Sequence, residues 1–553
     1  MKHSKLTLLP LDDRPVNYDY PVLLGKIGGI SVDVPPREWL GNPWRNASRD
    51  QLSEWLFDKA RSSDGLIISI DALIFGGLIA SRKSDETFEE LINYFEILKN
   101  IRCKYPSLLV DAFSVIQRVS RENSCEEEKS YWKLYGKDFF RLSYLEDKIF
   151  LNEHSLIELQ EYNQLKQLIP NGIREDYKRT RLRNKRINKY ALDLLSQDVL
   201  NYLILAQDDT ADYGWNIADR RELQEDINHL SLEEKAITYP GTDEIGCVLL
   251  ARFACNYYNL SPKFSSLFSA EQGREIVTAF EDRSLDHLLK AHLHPVGGKF
   301  SEIREEADCL LFFNAPVDKQ GDGILQWLVE NNQQLFKKQL PPEDLKVIER
   351  FFHHPSFNET AQLMRLQAPR DDVLISMMKN EKDCGKLIAL ADVAFYNAAD
   401  LYLIRNSLWE NWFTGITAYA GWNTSGNTLG TVLAHCCLRM AAKKTEDNLE
   451  ANQAHYSFLL LRILEDYAYQ AIIRSKILFE DWPVPGSGTL ERIEDEYTLS
   501  YVSQMIEQQI HDFCEELASF WIARGLIKNV ELRKVWLPWN RLFEVGIEVE
   551  VKL

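Results

Sequence analysis

The sequence lacks the short motifs that mark several common enzyme classes. Within its 553 residues there is no GxGxxG after a predicted strand, no GxxxxGK[ST], no HExxH and no GxSxG. These absences disfavour dinucleotide binding, P-loop phosphate chemistry, zinc proteolysis and α/β-hydrolase chemistry. They leave enzymes that work through carboxylates, and proteins that bind without catalysis.

Paired cysteines and long apolar runs are also missing. None of the nine cysteines forms a CxxC pair, and most of them, such as Cys247, Cys255 and Cys309, lie within apolar runs. That pattern is typical of buried free thiols in a reducing compartment. No stretch approaches the roughly 20 apolar residues of a membrane span, and the N-terminus has no signal-like apolar run. We therefore expect a cytoplasmic protein with no membrane partner.

Positive charge is scarce. Lys and Arg total 64 against 83 Asp and Glu, a formal net charge of -19. A nucleic-acid binder needs a strongly basic surface to displace counterions. The one basic run, between residues 178 and 189, resembles a solvated helix face. We predict no nucleic-acid partner, and the sequence leaves the oligomeric state open.

What recurs instead is a short apolar run, a polar or glycine-containing turn, and then a helical pattern. This succession is the signature of βα units with strands buried on both faces. The predicted strands are residues 6–11, 30–34, 65–70, 108–116, 202–206, 236–239, 309–313, 387–390 and 416–420.

The predicted fold is α/β. We prefer an (α/β)₈-barrel-like parallel core with insertions, followed by a mainly helical C-terminal region; the alternative is two open α/β domains separated near residues 240–300. The predicted regions are an N-terminal α/β catalytic region (1–245), a second α/β region that completes the barrel or forms a second sheet (246–430), and a helical region ending in a β-hairpin (431–553).

Polar side chains follow many of these strands directly. The carboxyl ends of parallel strands converge on one face, where functional residues cluster. We predict that the catalytic carboxylates are among Asp208, Asp209, Asp243 and Glu244. The predicted substrate-binding residues are Asp12, Asp13, Arg14, Asp71, Asp392, Trp422, Asn423, Thr424, Asn427, Trp539 and Arg541. For each of them a cap, turn or packed hairpin is the structural alternative.

Two of these segments have particular chemistry. Arg14 follows Asp12 and Asp13, and a neighbouring arginine favours the ionised form of a carboxylate. The run from Gly421 to Asn427 combines close backbone approach, polar groups and an indole face in front of a helix, which suits a hydroxylated ring or an anion. By contrast, His292 and His294 are predicted to be a surface pair at a helix end rather than metal ligands.

Several motifs in order resemble DUF4127, a bacterial family of unknown function. They are LPLDDRPVN (9–17), DGLIISIDALIFGGLIASR (64–82), QDD (207–209), YPGTDE (239–244), ADVAFYNAAD (391–400), AYAGWNTSGNTLG (418–430) and LPWNRLFE (537–544). The resemblance spans nearly the whole chain. It implies one shared architecture and carries no activity with it.

Three functions are compatible with this pattern. The leading hypothesis is a glycoside hydrolase or related sugar-processing enzyme that uses two carboxylates and needs no metal or cofactor. The second is a Mg²⁺ or Mn²⁺ enzyme acting on a phosphoester or hydroxy acid, with Asp12, Asp71, Asp208 and Asp392 as oxygen ligands. The third is a non-catalytic binder of a sugar or metabolite.

Overall fold

The computed structural model describes residues 4–331, 355–381, 385–410, 412–445, 448–478 and 492–553. All nine predicted strands are present within a residue or two of their expected bounds, and the run at 264–268 adds another. The strands are β1 Ser4–Leu9, β2 Ile30–Asp33, β3 Gly65–Ser69, β4 Leu109–Ile116, β5 Tyr202–Gln207, β6 Ala236–Pro240, β7 Lys263–Phe268, β8 Lys299–Phe300, β9 Cys309–Asn314, β10 Gly321–Asp322, β11 Leu387–Asp392, β12 Phe395–Tyr396, β13 Ala418–Ala420, β14 Asn529–Trp536 and β15 Gly546–Lys552.

The strands form two open parallel sheets. The first has the order β2-β1-β3-β4-β5-β6 and the second β13-β11-β9-β7-β8. The α/β class is confirmed, and the arrangement is that of the alternative prediction rather than one closed barrel. Buried apolar runs specify parallel strands equally well in both architectures, so the run pattern does not decide whether a sheet closes.

Helices connect and cover the strands. They are α1 Pro15–Ile27, α2 Arg49–Ala60, α3 Ile70–Ile74, α4 Leu78–Lys83, α5 Phe88–Leu91, α6 Glu96–Lys104, α7 Trp132–Phe150, α8 Leu156–Leu168, α9 Asn171–Ser196, α10 Trp215–His229, α11 Ile245–Tyr257, α12 Leu285–Leu293, α13 Leu325–Asn331, α14 Pro355–Glu381, α15 Leu401–Ser407, α16 Ser425–Ala442, α17 Asn448–Arg462, α18 Arg474–Lys476 and α19 Glu496–Ala523. A π-helix, Ile463–Ile473, joins α17 to α18. Short 3₁₀ turns lie at Arg37–Trp39, Ile92–Phe95, Glu271–Glu275, Arg304–Glu306, Phe413–Gly415 and Pro538–Asn540.

Helices α1, α11 and α16 lie between the two sheets and share one apolar core with both. Gly430 on α16 allows the close approach, because a Cβ there would lie 2.2 Å from Cγ of Glu244 next to α11. The other face of the first sheet packs on α2, α6 and α9 in a separate core. The two sheets are therefore held together by a common helical layer.

The predicted terminal hairpin is confirmed. Strands β14 and β15 pair antiparallel, and the connection between them begins with Pro538, Trp539 and Asn540. β15 packs on α17, which in turn packs on α1. The proline- and glycine-rich run PVPGSG at 483–488, which predicts a turn, lies outside the described residues.

The basic run is less exposed than predicted. It lies on α9, where Arg181 and Arg183 are buried, while Lys185 and Lys189 form ion pairs with Glu222 on α10. The described cysteines are free thiols, and six of them are buried; Cys384 lies outside the described residues. None of the helices within the described ranges has the length and apolar character to cross a membrane.

Candidate functional site

Arg14 links two strand ends of the first sheet. The residue directly precedes α1, and Pro15 occupies the first position of that helix. Its Nη2 group donates to Asp12 Oδ2 at 2.8 Å and to Asp243 Oδ1 at 2.6 Å. All three side chains are buried. The loops after β1 and β6 are thus joined by one guanidinium group.

Burial and the neighbouring charges shift the pKa values of Arg14 and Asp243. Burial opposes the charge of Arg14, but Asp12 and Asp243 outweigh it and hold the pKa of Arg14 well above its ordinary value. Burial raises the pKa of Asp243 to about 7, although Arg14 lowers it. A raised pKa brings a carboxyl group toward the range in which it can serve as a general acid near neutral pH.

A second part of the network follows β5. Arg82 contacts Asp208, and Arg118 Nη1 donates to Asp209 Oδ2 at 2.9 Å. Burial raises the pKa of Asp209, although Arg118 opposes the change. Asp209 also has a positive φ of 46°. Non-glycine residues adopt this conformation at an energetic cost, and such positions cluster at functional sites.

Glu127 is the common partner of three arginines. It accepts hydrogen bonds from Arg82 at 3.1 Å, Arg118 at 2.8 Å and Arg541 at 2.6 Å. Burial opposes its charge, but Arg118, Arg541 and Arg82 outweigh it and hold the pKa of Glu127 well below its ordinary value. Arg541 also donates to Glu544 at 3.0 Å. Glu544 Oε2 in turn lies 3.9 Å from Arg14 Nη1, so Arg541 and Glu544 join the two parts into one arginine–carboxylate network.

The hairpin connection closes this network from the C-terminal end of the chain. Trp539 Nε1 donates to Asp13 Oδ1 at 2.6 Å, and its ring lies 5.0 Å from the guanidinium carbon of Arg14 and 4.5 Å from that of Arg541. Trp539 has a φ of 54°, which is a rare conformation for a bulky residue. The connection is therefore held in a strained turn by its polar contacts.

The loop after β13 reaches the network from the second sheet. Asn423 Nδ2 donates to Asp243 Oδ2 at 3.3 Å, and Asn427 Oδ1 accepts from the Asp243 amide at 3.3 Å. Thr424 caps α16 through the Asn427 amide. Trp422 was predicted to offer its indole face to a ligand. It is instead buried against Phe543, with ring centroids 5.8 Å apart.

Three further predicted residues lie away from the network. Asp71 is buried and accepts from the Val115 amide at 2.8 Å, and burial raises its pKa to about 7. Asp392 belongs to a separate group of carboxyl groups in the second sheet. Glu244 is fully buried, with both carboxylate oxygens unpartnered by hydrogen bonds among the described residues. Both Asp71 and Asp392 hold backbone structure, as their structural alternative predicted.

Glu244 and its neighbour Asp243 point in different directions. Glu244 lies beneath Gly430, and its Oε1 is 3.5 Å from Nε2 of His292. The ring of His292 packs on Tyr239 at 4.4 Å. The prediction that His292 is a surface residue is wrong, because the helix α12 that carries it packs on α16 rather than ending in solvent.

Sequence reasoning predicted Arg14 and Arg541 but missed Arg82, Arg118, Glu127 and Glu544. Arg82 and Glu544 both end motifs of the family resemblance, and Arg118 follows β4 directly. Glu127 lies in an irregular loop and carries no local signal. The positions of Arg82 and Glu544 at motif ends were the only signal that could have indicated their role. The neighbouring residues in the chain do not show which acid each arginine contacts.

A cavity of about 350 Å³ opens beside Asp13 and Trp539. Three tryptophans, three arginines and Asp13 line it, together with residues of the hairpin connection. Concave sites with aromatic walls and a few polar groups are typical of small-molecule binding. Within the described ranges, no group of three or more His, Cys, Asp and Glu side chains has an arrangement that would hold a metal ion.

Fold and site together define an α/β protein of two parallel sheets, with a buried arginine–carboxylate network at their carboxyl ends. The chain belongs to the family described as "Protein of unknown function (DUF4127)", whose model matches residues 6–548. The resemblance found in the sequence is thereby confirmed. No curated protein and no solved structure matches the chain.

Proposed function

We propose that this protein is a glycoside hydrolase or a related sugar-processing enzyme, with Asp243 as its general acid. The observation that carries the proposal is the position of Asp243, buried after β6 beside Arg14 and Asn423, where burial raises its pKa to about 7. Cleavage of a glycosidic bond requires a carboxylic acid that still holds its proton at neutral pH and gives it to the leaving oxygen.

The second carboxylate of the mechanism is Asp208 or Asp209. Asp208 lies against the guanidinium groups of Arg82 and Arg118, and its side chain is 15% exposed. The side chain of Asp209 is 29% exposed. A carboxylate near a positive charge and open to the site suits a nucleophile or base, whereas the fully buried Glu244 does not.

The surroundings favour a sugar as the small-molecule partner. The cavity beside the network exposes the ring of Trp44 and is also lined by Trp536 and Trp539, and aromatic walls suit the apolar faces of a pyranose ring. Asn42 and Asn423 supply amide groups at the same end of the sheets. We also propose the cytoplasm as its location, because the free cysteines suit a reducing compartment.

The metal-dependent alternative has less support. Asp12 is held by Arg14 and Asn17, while Asp71 accepts from a backbone amide. Asp208 and Asp392 lie at different sheets with different partners. The four expected oxygen ligands therefore do not form one set, and the proposed reaction needs no cation.

The test is a hydrolysis screen of aryl α- and β-glycosides with and without EDTA. We expect turnover that survives EDTA and falls about 10²–10⁴-fold in Asp243→Asn. Asp208→Asn and Asp209→Asn identify the second carboxylate, and the exposed Asp193→Asn serves as the matched control. Full activity in Asp243→Asn would overturn the assignment, and sugar binding without any turnover would favour the non-catalytic alternative.

A further inference from the structure

The cavity beside the network is cationic in a strongly acidic protein. Arg37, Arg45 and Arg492 line it, and Asp13 is the single carboxylate among its lining residues. The chain as a whole has a net charge of -19. Such a local reversal of charge attracts anions to this site.

The single carboxylate is already fully engaged. Asp13 accepts from Trp539 Nε1 at 2.6 Å, from Arg45 Nη2 at 2.9 Å and from Asn42 at 3.3 Å. Arg37 is also committed, because it donates to the Asp13 carbonyl and to Asp19. Asp13 and Asp19 are therefore both occupied, and neither of them pairs with Arg492.

Two of the arginines retain unused donors. Arg492 stacks on Trp44 at 4.7 Å and makes no hydrogen bond or ion pair with any other described residue. Arg45 uses Nε and Nη2 on Leu40, Arg37 and Asp13, which leaves Nη1 without a partner in the described part of the chain. Guanidinium donors of this kind recognise carboxylate, sulfate and phosphate groups.

We propose that the sugar bound here carries an acidic group, which Arg45 and Arg492 hold in the cavity while a tryptophan face supports the ring. This inference rests on the proposed function, because it names the class of sugar that the cavity beside the network accepts. The volume of about 350 Å³ lies in the range of small-ligand sites.

The test measures binding apart from turnover. The probes are glucuronate, glucose 6-sulfate and glucose 6-phosphate, with glucose as the neutral control, followed by calorimetry and tryptophan fluorescence. We expect at least one acidic sugar to bind about tenfold more tightly than glucose, in line with a charge-assisted hydrogen bond. The best probe shows which acidic group the cavity prefers.

Arg492→Gln is the informative variant, because the stack on Trp44 is the only polar or ring contact that Arg492 makes with the described residues. It should abolish the preference for the acidic sugar and leave glucose binding unchanged. Arg533→Gln is the control: like Arg492 it is an exposed arginine, and it lies on the hairpin outside the cavity. Equal binding of glucose and all three acidic probes, no binding of any probe, or a preference that survives in Arg492→Gln would overturn the inference.

Failure of this inference is distinguishable from failure of the proposed function. Hydrolysis of neutral glycosides that depends on Asp243, with no preference for charge, would preserve the hydrolase and exclude the acidic sugar. Binding of an acidic sugar that depends on Arg492, with no hydrolysis of any glycoside, would preserve the anion site and exclude the hydrolase.

Discussion

The carboxyl ends of the two sheets carry the same kind of residue in opposite electrostatic settings. In the first sheet, Asp208 and Asp243 contact arginines. In the second, Asp392 and Asp400 share the amide of Asn314, at 2.8 Å and 3.3 Å, and Asp371 accepts from Gln367 at 3.0 Å. None of these three acids is hydrogen-bonded to an arginine in the described ranges.

The difference changes the protonation of the acids. Burial raises the pKa of Asp392 well above its ordinary value, and the neighbouring Asp400 raises it further. Burial and Asp400 likewise raise the pKa of Asp371. A buried acid without a cationic partner favours its protonated form, so Asp392 and Asp371 are held toward the neutral state. The protonation state of an aspartate that follows a buried strand thus depends on the side chains that surround it.

Removal of the shared arginine should have the largest effect on stability. Arg14→Gln leaves Asp12 and Asp243 buried and uncompensated, and we expect the free energy of unfolding to fall by about 3–5 kcal/mol. Chemical denaturation measures this. The double variant Arg14→Gln/Asp243→Asn should recover part of the loss, whereas an unchanged midpoint in Arg14→Gln would show that the two sheets do not differ as described.

The pH dependence of stability separates the two regions next. The folded pKa of Asp392 is raised, so its contribution to stability is fully present below the unfolded pKa of about 3.9 and is lost as the pH rises through the folded pKa. Asp392→Asn should remove up to about 1.4 kcal/mol of this loss per pH unit above about pH 4.

Chemical denaturation at several pH values measures this difference. The free energy of unfolding of Asp392→Asn should rise relative to that of the wild type as the pH rises.

Glu127→Gln is the counterpart in the first sheet. The pKa of Glu127 is lowered, so its contribution is present above the unfolded pKa of about 4.3 and is lost as the pH falls through the folded pKa. If the free energy of unfolding varied with pH in the same way in the wild type and in Asp392→Asn, the raised pKa of Asp392 would be contradicted.

The smallest effect is expected at Asp71. Asp71→Asn retains an acceptor for the Val115 amide, so the free energy of unfolding should change by less than about 1 kcal/mol at neutral pH. Asp71→Ala leaves that buried amide unpaired and should cost about 1–3 kcal/mol. If both variants are equally destabilised, the charge of Asp71 rather than its hydrogen bond is what matters, and this residue belongs with the arginine-compensated acids.

Local patterns predicted much of the candidate site. Asp12, Asp208 and Asp243 each follow a buried apolar run, and the parallel pairing of those strands brings their ends to one edge. Asn423 and Asn427 were found in the same way, from a glycine-rich turn before a helix. Glu244 was predicted beside Asp243 among the catalytic carboxylates, but its side chain is directed beneath Gly430, because the direction of a side chain at a helix start depends on what packs above it.

The sequence by itself determined the α/β class, the positions of the strands and the placing of acids at their carboxyl ends, since apolar runs, turns and helix starts are properties of neighbouring residues. The tertiary structure alone decided that the strands form two open sheets, that Arg82, Arg118 and Arg541 meet Glu127, and that Asp243 is hydrogen-bonded to an arginine whereas Asp392, among the described residues, is not. Desolvation and charge act through space, and the residues that supply them lie far apart along the chain.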